Sequence, residues 1–362
     1  MIKGIYIHIP FCKKKCNYCA FCSFEQFKYK EQYVKSLLNE IKHFYKKEQV
    51  KTLYFGGGTP YLLNVNDFEK ILSCFNLSND TETTLELNPN DINQEKLKTL
   101  KSLGFNRLSI GVQSFCNETL KIIGRNHSKK DIYTAIEKIK NCNYKNISID
   151  LMYGLPNQTI EAFEADLKKA LALDIEHISL YGLKIEQGTY FYKNPPKNLP
   201  NLDLQAKMYE NALTLLKEKF IHYEFSNFAK KQEFISSHNC LYWNNENYYG
   251  FGLSAAGYID NKRYNNTCNL KKYFNNPLEK NYTILTKEQM IEEEVFLGLR
   301  LIKGLDFSKI NKKFNIDIEQ YYKKEFDKFL SLNLLKKTKK GIQLTKKGVL
   351  VSNEVLCEFI KI

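Results

Sequence analysis

The amino-acid sequence predicts an α/β fold: a parallel sheet of six βα units curled as a partial (β/α)6 TIM-like barrel, with a small C-terminal winged-helix-like α+β domain. Two observations predict it. Over the first two-thirds of the 362 residues, short β-branched runs alternate with amphipathic helical stretches, as in repeated βα units. Beyond residue 285, helical patterns precede a lysine-rich hairpin and a last helix. We expect 1–220 to form the barrel, 221–285 to extend its sheet and 286–362 to form the C-terminal domain.

Each βα unit is predicted from one apolar run and the amphipathic stretch after it. The expected strands are 5–9, 52–55, 84–87, 108–112, 147–152 and 177–181. The expected helices are 29–45, 66–74, 93–103, 130–142, 160–173 and 202–219. Residues 220–270 carry few helical signals and many aromatics, which predicts short strands and loops. The C-terminal domain is expected to contain helices at 292–301, 316–332 and 347–359 and a hairpin at 334–344.

The net charge of +14 at pH 7 first suggests an acidic partner such as nucleic acid or a membrane surface. Nearly all of the positive charge is lysine spread along helices, and four residues are arginine: Arg107, Arg125, Arg263 and Arg300. We therefore expect a solvated basic surface and no nucleic-acid partner. Because this chain otherwise uses lysine, a retained arginine suggests a need for its planar, bidentate fork.

The N-terminal segment runs directly into an apolar strand, without the pattern of a signal peptide, and no apolar run is long enough to span a bilayer. We expect the protein in the cytoplasm, where thiols stay reduced.

Three cysteines follow the first predicted strand at Cys-x3-Cys-x2-Cys spacing: Cys12, Cys16 and Cys19. Three thiolates on one short loop can hold an iron–sulfur cluster at three corners and leave one iron open to a ligand. A structural zinc site is the alternative, but zinc usually takes four ligands in two separated pairs. Cys22 is a possible fourth ligand, and no second pair follows.

The other predicted strands also end in polar or glycine-rich groups. These groups are Gly56–Gly57–Gly58–Thr59–Pro60, Glu86 with Asn88, Gln113 with Ser114, Asp150, and Tyr181 with Lys184. Because parallel strands end at one edge of a barrel, these groups are expected together there. An amino-acid-like ligand on the open iron needs partners for its ammonium and carboxylate, and Glu86, Asp150 and Arg125 are candidates. Helix caps, buried salt bridges and surface positions are the alternatives for these residues.

A second candidate site is His238-Asn239-Cys240-Leu241-Tyr242-Trp243. A neutral His238 imidazole can coordinate heme iron, and Trp243, the only tryptophan, can pack on a porphyrin face. A hydrogen-bonded loop anchor is the alternative for His238.

Taken together, these residues resemble the radical S-adenosylmethionine superfamily. Cys12-x3-Cys16-x2-Cys19, with Tyr18 before the last cysteine, matches its cluster loop, and residues 56–60 match its glycine-rich contact to the methionine amine. Segments 6–12, 111–115 and 150–156 narrow the resemblance to the branch of oxygen-independent coproporphyrinogen III dehydrogenase and the HemW heme chaperones. It covers nearly the whole chain.

The resemblance implies which residues bind cofactors. Cys12, Cys16 and Cys19 would hold a 4Fe-4S cluster. The S-adenosylmethionine pocket would be lined by Tyr6, Tyr18, Gly57, Gly58, Thr59, Glu86, Gln113, Arg125 and Asp150. Heme would be bound at the His-Asn-x-x-Tyr-Trp signature through His238 and Trp243.

Two departures from the dehydrogenase favour the chaperone. The dehydrogenase typically has a cysteine two positions after the third cluster cysteine, where this chain has Phe21, and a long N-terminal segment, whereas only eleven residues precede Cys12 here. Cys22 is offset by one residue from the position of the dehydrogenase cysteine.

The resemblance therefore implies a heme chaperone that passes heme to an apo-hemoprotein, with the cluster and S-adenosylmethionine governing transfer or dimerisation. The recipient it implies is a membrane respiratory enzyme, with the chaperone at the inner membrane face. The alternative is oxidative decarboxylation of coproporphyrinogen III, and a third possibility is an anaerobic heme-modifying methyltransferase. Enzymatic turnover is left open.

Overall fold

The computed structural model describes residues 1–361 and contains a parallel sheet of six strands, built from the apolar runs that the sequence predicts. The strands are β1 (Gly4–Ile9), β2 (Thr52–Gly57), β3 (Glu82–Leu87), β4 (Arg107–Gln113), β5 (Ile147–Tyr153) and β6 (His177–Gly182). They pair side by side in chain order and in parallel. The predicted strands are confirmed, with ends that differ by no more than two residues.

Helices connect these strands. They are α1 (Lys30–Phe44), α2 (Val65–Leu72), α3 (Gln94–Ser102), α4 (Asn117–Ile122), α5 (Lys129–Asn141), α6 (Ile160–Ala172), α7 (Tyr190–Lys193) and α8 (Leu202–Leu216). Short 3-10 turns occur at Phe27–Tyr29, Pro60–Leu62, Pro89–Asp91 and Gln232–Phe234. All six predicted helices are confirmed. Helices α4 and α7 were not predicted, because they are too short to show a full apolar period.

Side chains alternate along the six strands, which separates a mostly apolar outer face from a mostly polar inner face. The outer residues, such as Ile5, Leu53 and Ile149, are fully buried against the helices. The polar residues of the inner face include Tyr6, His8, Thr52, Tyr54, Glu82, Thr84, Glu86, Arg107, Ser109, Ser148, Asp150, His177, Ser179 and Tyr181. The curved sheet is therefore a partial barrel whose hydrophobic core lies outside the strands.

Residues after α8 extend this sheet at both edges. The added strands are β7 (Ile221–Glu224), β8 (Asn227–Ala229), β9 (Tyr248–Phe251), β10 (Ala256–Ile259), β11 (Lys262–Asn265) and β12 (Asn281–Ile284). The antiparallel β8 and β7 continue from β6, whereas β9 pairs in parallel with β1 and leads to β10, β11 and β12. The predicted sheet extension is confirmed, and it is divided between two edges.

The expectation of strands and loops throughout 220–270 is wrong in one place. Residues Ser237–Trp243 form a helix, α9, and Leu270–Asn275 form α10 just beyond this segment. The Ser236 side chain caps α9 by accepting a hydrogen bond from the Asn239 amide. The aromatic composition of α9 favours strands, and the capping signal was overlooked.

The C-terminal residues form a domain with its own core. Its elements are α11 (Lys287–Gly298), β13 (Leu305–Asp306), α12 (Phe307–Phe314), α13 (Ile318–Tyr321), α14 (Lys323–Ser331), β14 (Leu335–Lys337), β15 (Gly341–Leu344), α15 (Lys346–Leu350) and α16 (Ser352–Cys357). The hairpin β14–β15 is confirmed, and β13 adds a third strand. The predicted helices 316–332 and 347–359 each divide in two, at Tyr322 and Val351, where the backbone leaves the helical region. The domain boundaries at 220 and 285 stay predictions.

A buried ion pair fastens the sheet extension to α1. The Lys280 ammonium, just before β12, lies 2.6 Å from the Glu40 carboxylate on α1, and both side chains are at most 1% exposed. Glu40 also accepts hydrogen bonds from the Gly252 amide, the Asn266 amide group and the Tyr273 hydroxyl. Each of the two Glu40 carboxylate oxygens thus has two donors. Removal of the Lys280 cation would leave the negative charge of Glu40 buried without a counter-charge.

We expect Lys280→Met to lower the free energy of unfolding by about 3 to 5 kcal/mol, because it strands the Glu40 charge. Urea denaturation measures this change. Lys323→Met is the control, since it breaks an exposed pair with Asp327 and should cost less than about 1 kcal/mol. Equal effects of the two substitutions would contradict the structural role of the buried pair.

Candidate functional site

The cysteine loop, residues 10–24, follows β1 at the edge where β1–β6 end, here called the carboxyl rim. Its backbone is fixed to the neighbouring turn, because the Gly58 and Thr59 amides donate to the carbonyls of Ile9 and Phe11 at 2.8 and 2.7 Å. The Asn17 amide donates to the Ile123 carbonyl at 3.0 Å. The loop is therefore positioned by two separate βα connections before any ligand binds.

The three thiols on this loop are half-buried. Thr59 Oγ1 donates to Cys12 Sγ at 3.8 Å, and Arg125 Nη1 donates to Cys16 Sγ at 3.4 Å. Burial raises the pKa of Cys12 and raises that of Cys19 to about 11. Both thiols are thus protonated without a ligand, and metal binding must displace their protons.

The donor set fits an iron–sulfur cluster. Within residues 1–361, no three histidine, cysteine or acidic side chains converge as a single ion would require. A cluster distributes its thiolates over separate irons, so three half-buried thiols on one loop suit it. The Arg125 Nε atom is buried and has no partner among the described residues, so the arginine that contacts Cys16 keeps one unused donor.

The glycine run shapes the space beside the thiols. Gly57 has φ +110°, and a Cβ there would lie 2.6 Å from the His8 ring. A Cβ on Gly58 would lie 3.0 Å from Cys12 Sγ. Side chains at these positions are excluded, so the backbone itself approaches the ligand region.

Glu86 and Asp150 lie on the inner face beside this region. Glu86 Oε1 accepts a hydrogen bond from the Tyr54 hydroxyl at 2.8 Å, and Oε2 accepts one from the Gly57 amide at 3.2 Å. Burial raises the pKa of Glu86 to about 7. Burial also raises the pKa of Asp150, which accepts a hydrogen bond from Ser109 Oγ at 3.4 Å. A ligand that offers a cation or hydroxyl groups would therefore stabilise the ionised form of both carboxyls.

Gln113 and Arg125 lie at the end of β4, where the strand contains a bulge. Gln113 has φ +66°, a conformation that is uncommon outside glycine and concentrated at functional sites. The Arg125 guanidinium donates to the Gly111 carbonyl as well as to Cys16. One arginine thus joins the end of β4 to the cysteine loop.

Tyr6 and Tyr18 are the two tyrosines predicted to line the S-adenosylmethionine pocket. The Tyr6 hydroxyl hydrogen-bonds with His8 Nδ1 at 3.1 Å, and His8 Nε2 hydrogen-bonds with the Cys22 carbonyl at 2.8 Å. Tyr18 packs against an apolar cluster that includes Ile123 and Phe191. The structure thus places every residue predicted for S-adenosylmethionine on the inner face or at the carboxyl rim.

Helix α9, with His238, lies at the opposite edge, where β1–β6 begin, here called the amino rim. The amides of Ser237 and His238 donate to the Glu82 carboxylate at 2.9 Å each. A Cβ on Gly4 would lie 2.4 Å from Leu241 Cδ1, so a glycine in β1 permits this close approach. Helix α9 therefore covers the amino rim of the partial barrel.

His238 is 1% exposed, and both of its ring nitrogens have partners. Nδ1 hydrogen-bonds with Thr52 Oγ1 at 2.7 Å, and Nε2 with the Tyr242 hydroxyl at 2.8 Å. Burial lowers the pKa of His238 to about 3, so the imidazole is neutral. This is the charge state that iron ligation needs, but ligation requires the ring to exchange one of these hydrogen bonds for the metal.

Trp243 lies at the C-terminal end of α9 and lines a cavity of about 430 Å³ against the C-terminal domain. The Arg300 guanidinium lies 4.4 Å from the Trp243 ring centroid. The indole Nε1 is buried without a hydrogen-bond partner in the described chain, and Lys3, Lys303 and Lys309 line the cavity. His238 and Trp243 lie on different sides of α9. His238 faces the barrel, whereas Trp243 faces this cavity.

Sequence reasoning missed Tyr54 and His8. Both are inner-face residues, and the signal was available: each occupies the alternate, polar position of a strand whose other positions are apolar. Among the other predicted rim residues, Tyr181 is half-exposed, and Lys184 is exposed and paired with Glu186 at 2.8 Å.

The neighbouring residues Phe21 and Cys22 differ in solvent exposure and in contacts. Phe21 is 66% exposed, whereas Cys22 Sγ lies 3.6 Å from the Cys268 carbonyl in the sheet extension. The Cys22 thiol is thus directed to that carbonyl. Within the described residues, no helix has the length and apolar character needed to cross a membrane.

We expect Cys22→Ser to leave the iron content of anaerobically reconstituted protein unchanged. Cys16→Ser should reduce the iron content to background, because the Cys16 thiolate is a predicted cluster ligand. Colorimetric iron and sulfide analysis measures both. Cys116→Ser, at an exposed thiol, is the control for loss of a cysteine as such. Loss of iron in the Cys22 variant would contradict the three-ligand prediction.

The raised pKa of Glu86 gives a pH dependence. Above about 7 the carboxylate is ionised and accepts a cationic group, so S-adenosylmethionine should bind more weakly as the pH falls through this value. Well below it, the affinity should fall by about tenfold per pH unit. Calorimetric titration of cluster-loaded protein between pH 6 and 8 measures this, with Glu86→Gln as a control that binds weakly at every pH. A pH-independent affinity in the unmodified protein would contradict the role of Glu86.

The chain matches two family models: the radical SAM superfamily over residues 6–170 and the HemN C-terminal domain over residues 285–351. It is 38% identical to the heme chaperone HemW of Bacillus subtilis, with 99% of each chain covered. It is also 38% identical to HemW of Lactococcus lactis, over 98% of this chain and 96% of the relative. The solved structure of Escherichia coli coproporphyrinogen III oxidase (HemN), a radical SAM enzyme, matches with a TM-score of 0.88 and 25% identity over 99% of this chain and 90% of that one. With 38% identity over nearly the whole chain to two of its members, the chain belongs to the HemW family of heme chaperones within the radical SAM superfamily.

Proposed function

We propose that this protein is a heme chaperone, which binds heme and delivers it to apo-hemoproteins. This function depends on a 4Fe-4S cluster and S-adenosylmethionine. The observation that carries the proposal is that the likeness to heme chaperones extends over 98% and 99% of the chain. It therefore includes helix α9 and the C-terminal domain as well as the cysteine loop.

At the carboxyl rim, we assign the cluster to Cys12, Cys16 and Cys19. The cluster, when bound, offers an open iron to the amino and carboxyl groups of an amino-acid ligand. The surrounding residues would hold the rest of S-adenosylmethionine: the Gly57 and Gly58 backbone would contact its amine, and Arg125 would pair with its carboxylate. Thr59 and Gln113 complete the rim, with Tyr6, Tyr18, Glu86 and Asp150 around the remaining groups.

At the amino rim, we assign heme to helix α9. The His238 imidazole is neutral, as iron ligation requires. Trp243 lines a cavity in which Lys3, Lys303 and Lys309 are candidate partners for the propionates. The acidic residues Glu246, Glu294 and Asp306 line the same cavity. Because His238 faces the barrel in the structure described, heme ligation by His238 involves a movement of its ring or of α9.

The recipient that we propose is a membrane respiratory enzyme. The chaperone would then act in the cytoplasm, at the inner face of the membrane. A homodimer is a further part of this proposal, and sedimentation of heme-free and heme-loaded protein tests it.

The second candidate function is oxidative decarboxylation of coproporphyrinogen III. The likeness to the Escherichia coli oxidase over 99% of the chain favours it. Phe21, at the position where that class of enzyme typically has a cysteine, speaks against it.

One comparison separates the two functions. Anaerobically reconstituted protein is incubated with reductant and S-adenosylmethionine, once with coproporphyrinogen III and once with heme. We expect stable heme uptake without a porphyrin product, because the chaperone binds heme and does not convert a precursor. Absorption spectra follow heme, and chromatography follows porphyrins.

The His238→Ala variant should bind heme at least about tenfold more weakly, because an iron ligand is lost. His43→Ala, at an exposed histidine, is the matched control and should bind heme normally. Formation of protoporphyrinogen would contradict the chaperone function. Unchanged heme uptake in His238→Ala would refute the ligand assignment alone.

A further inference from the structure

Tyr54 lies between the two ends of the barrel, in the middle of β2 and on its inner face. Its hydroxyl donates to Glu86 Oε1 at 2.8 Å, while the Gly57 amide holds Oε2 at 3.2 Å. The two donors together fix both oxygens of the carboxylate. Without the Tyr54 hydroxyl, Glu86 would keep one described donor and could rotate about it.

The ring of Tyr54 is held from the other side by His238. The two ring centroids are 4.9 Å apart and the planes are inclined by 26°, which is a stacked arrangement. Tyr6 stacks more loosely on Tyr54, with centroids 6.1 Å apart. The position of Tyr54 therefore depends on an imidazole that is itself held by Thr52 and Tyr242.

We propose that Tyr54 is the positioning residue that couples Glu86, at the carboxyl rim, to His238 at the amino rim. Buried side chains are close-packed, so displacement of the imidazole removes the surface on which the Tyr54 ring lies. The hydroxyl then loses the orientation that holds Glu86. Conversely, a ligand that binds Glu86 favours the Tyr54 position on which His238 stacks.

The biological role of this coupling rests on the proposed function, whereas the coupling itself does not. If His238 leaves its hydrogen bonds to ligate heme, heme binding and S-adenosylmethionine binding affect each other, and by linkage the effect is reciprocal. The contacts themselves involve no heme. The coupling can therefore be tested through S-adenosylmethionine affinity alone, separately from the chaperone function.

The test is a double-mutant cycle on cluster-loaded protein, with S-adenosylmethionine affinity measured by calorimetry at pH 8. Tyr54→Phe keeps the ring and removes the hydroxyl, and it should weaken binding by about tenfold, as expected for a hydrogen bond to a charged group. His238→Ala should also weaken binding, although the imidazole lies at the opposite rim. The double variant should be within about twofold of Tyr54→Phe, because both changes act through one hydrogen bond.

Tyr273→Phe is the matched control. It removes a buried tyrosine–glutamate hydrogen bond of similar length, 2.7 Å to Glu40, in the hydrophobic core outside the strands. Its S-adenosylmethionine affinity should equal that of the unmodified protein. If His238→Ala does not fold, Tyr242→Phe takes its place in the cycle, since it frees His238 Nε2 and keeps the imidazole.

A pH profile distinguishes positioning from general damage. The Tyr54 hydrogen bond lowers the pKa of Glu86, so Tyr54→Phe should move the midpoint of binding to higher pH, whereas Tyr273→Phe should not. The other charged or titratable groups that interact with Glu86 remain in both variants: Asp150, Arg107, Tyr6, Tyr181 and Tyr242. Normal affinity in either Tyr54→Phe or His238→Ala, fully additive effects, or an unshifted midpoint would overturn the proposal.

Discussion

The structure depends on the alternation of apolar and polar side chains in its six parallel strands. The apolar positions bury isoleucine, leucine and phenylalanine against the helices and supply the hydrophobic core. The polar positions then face one another across the inner face, where each must find a partner. Ser148 and His177, for example, share a hydrogen bond of 2.8 Å, and His177 shares another with Tyr223. The same constraint that stabilises the barrel thus creates a connected polar interior.

Burial in this interior sets the charge of the functional groups. It lowers the pKa of His8 to about 4 and of His238 to about 3, and it raises that of Glu86 to about 7. The histidines are therefore neutral, and the glutamate is ready to change its charge when a cation binds. The positive charges of Arg107 and Arg125 lower the pKa of Asp150 and partly offset the effect of its burial. Arg125 also donates to two separate acceptors, the Gly111 carbonyl and the Cys16 thiol, which suits the planar fork of an arginine.

The sequence alone predicted the strands, most helices and the residues of the carboxyl rim, because periodicity and strand ends are local properties. It did not predict how distant segments meet. The capping residue Ser236 indicated a helix at Ser237–Trp243, but aromatic composition suggested strands. Nothing local could show that this helix covers the amino rim or that His238 stacks on Tyr54, because those contacts join residues 184 positions apart in the chain.

We propose that the two ends of one barrel, with a heme motif at the amino rim and a cofactor site at the carboxyl rim, serve one transfer function. The most direct test is the heme affinity of cluster-loaded protein, measured by absorption titration with and without saturating S-adenosylmethionine. The account predicts that the two affinities differ and that the difference disappears in Tyr54→Phe. Identical heme affinities with and without S-adenosylmethionine in the unmodified protein would contradict it.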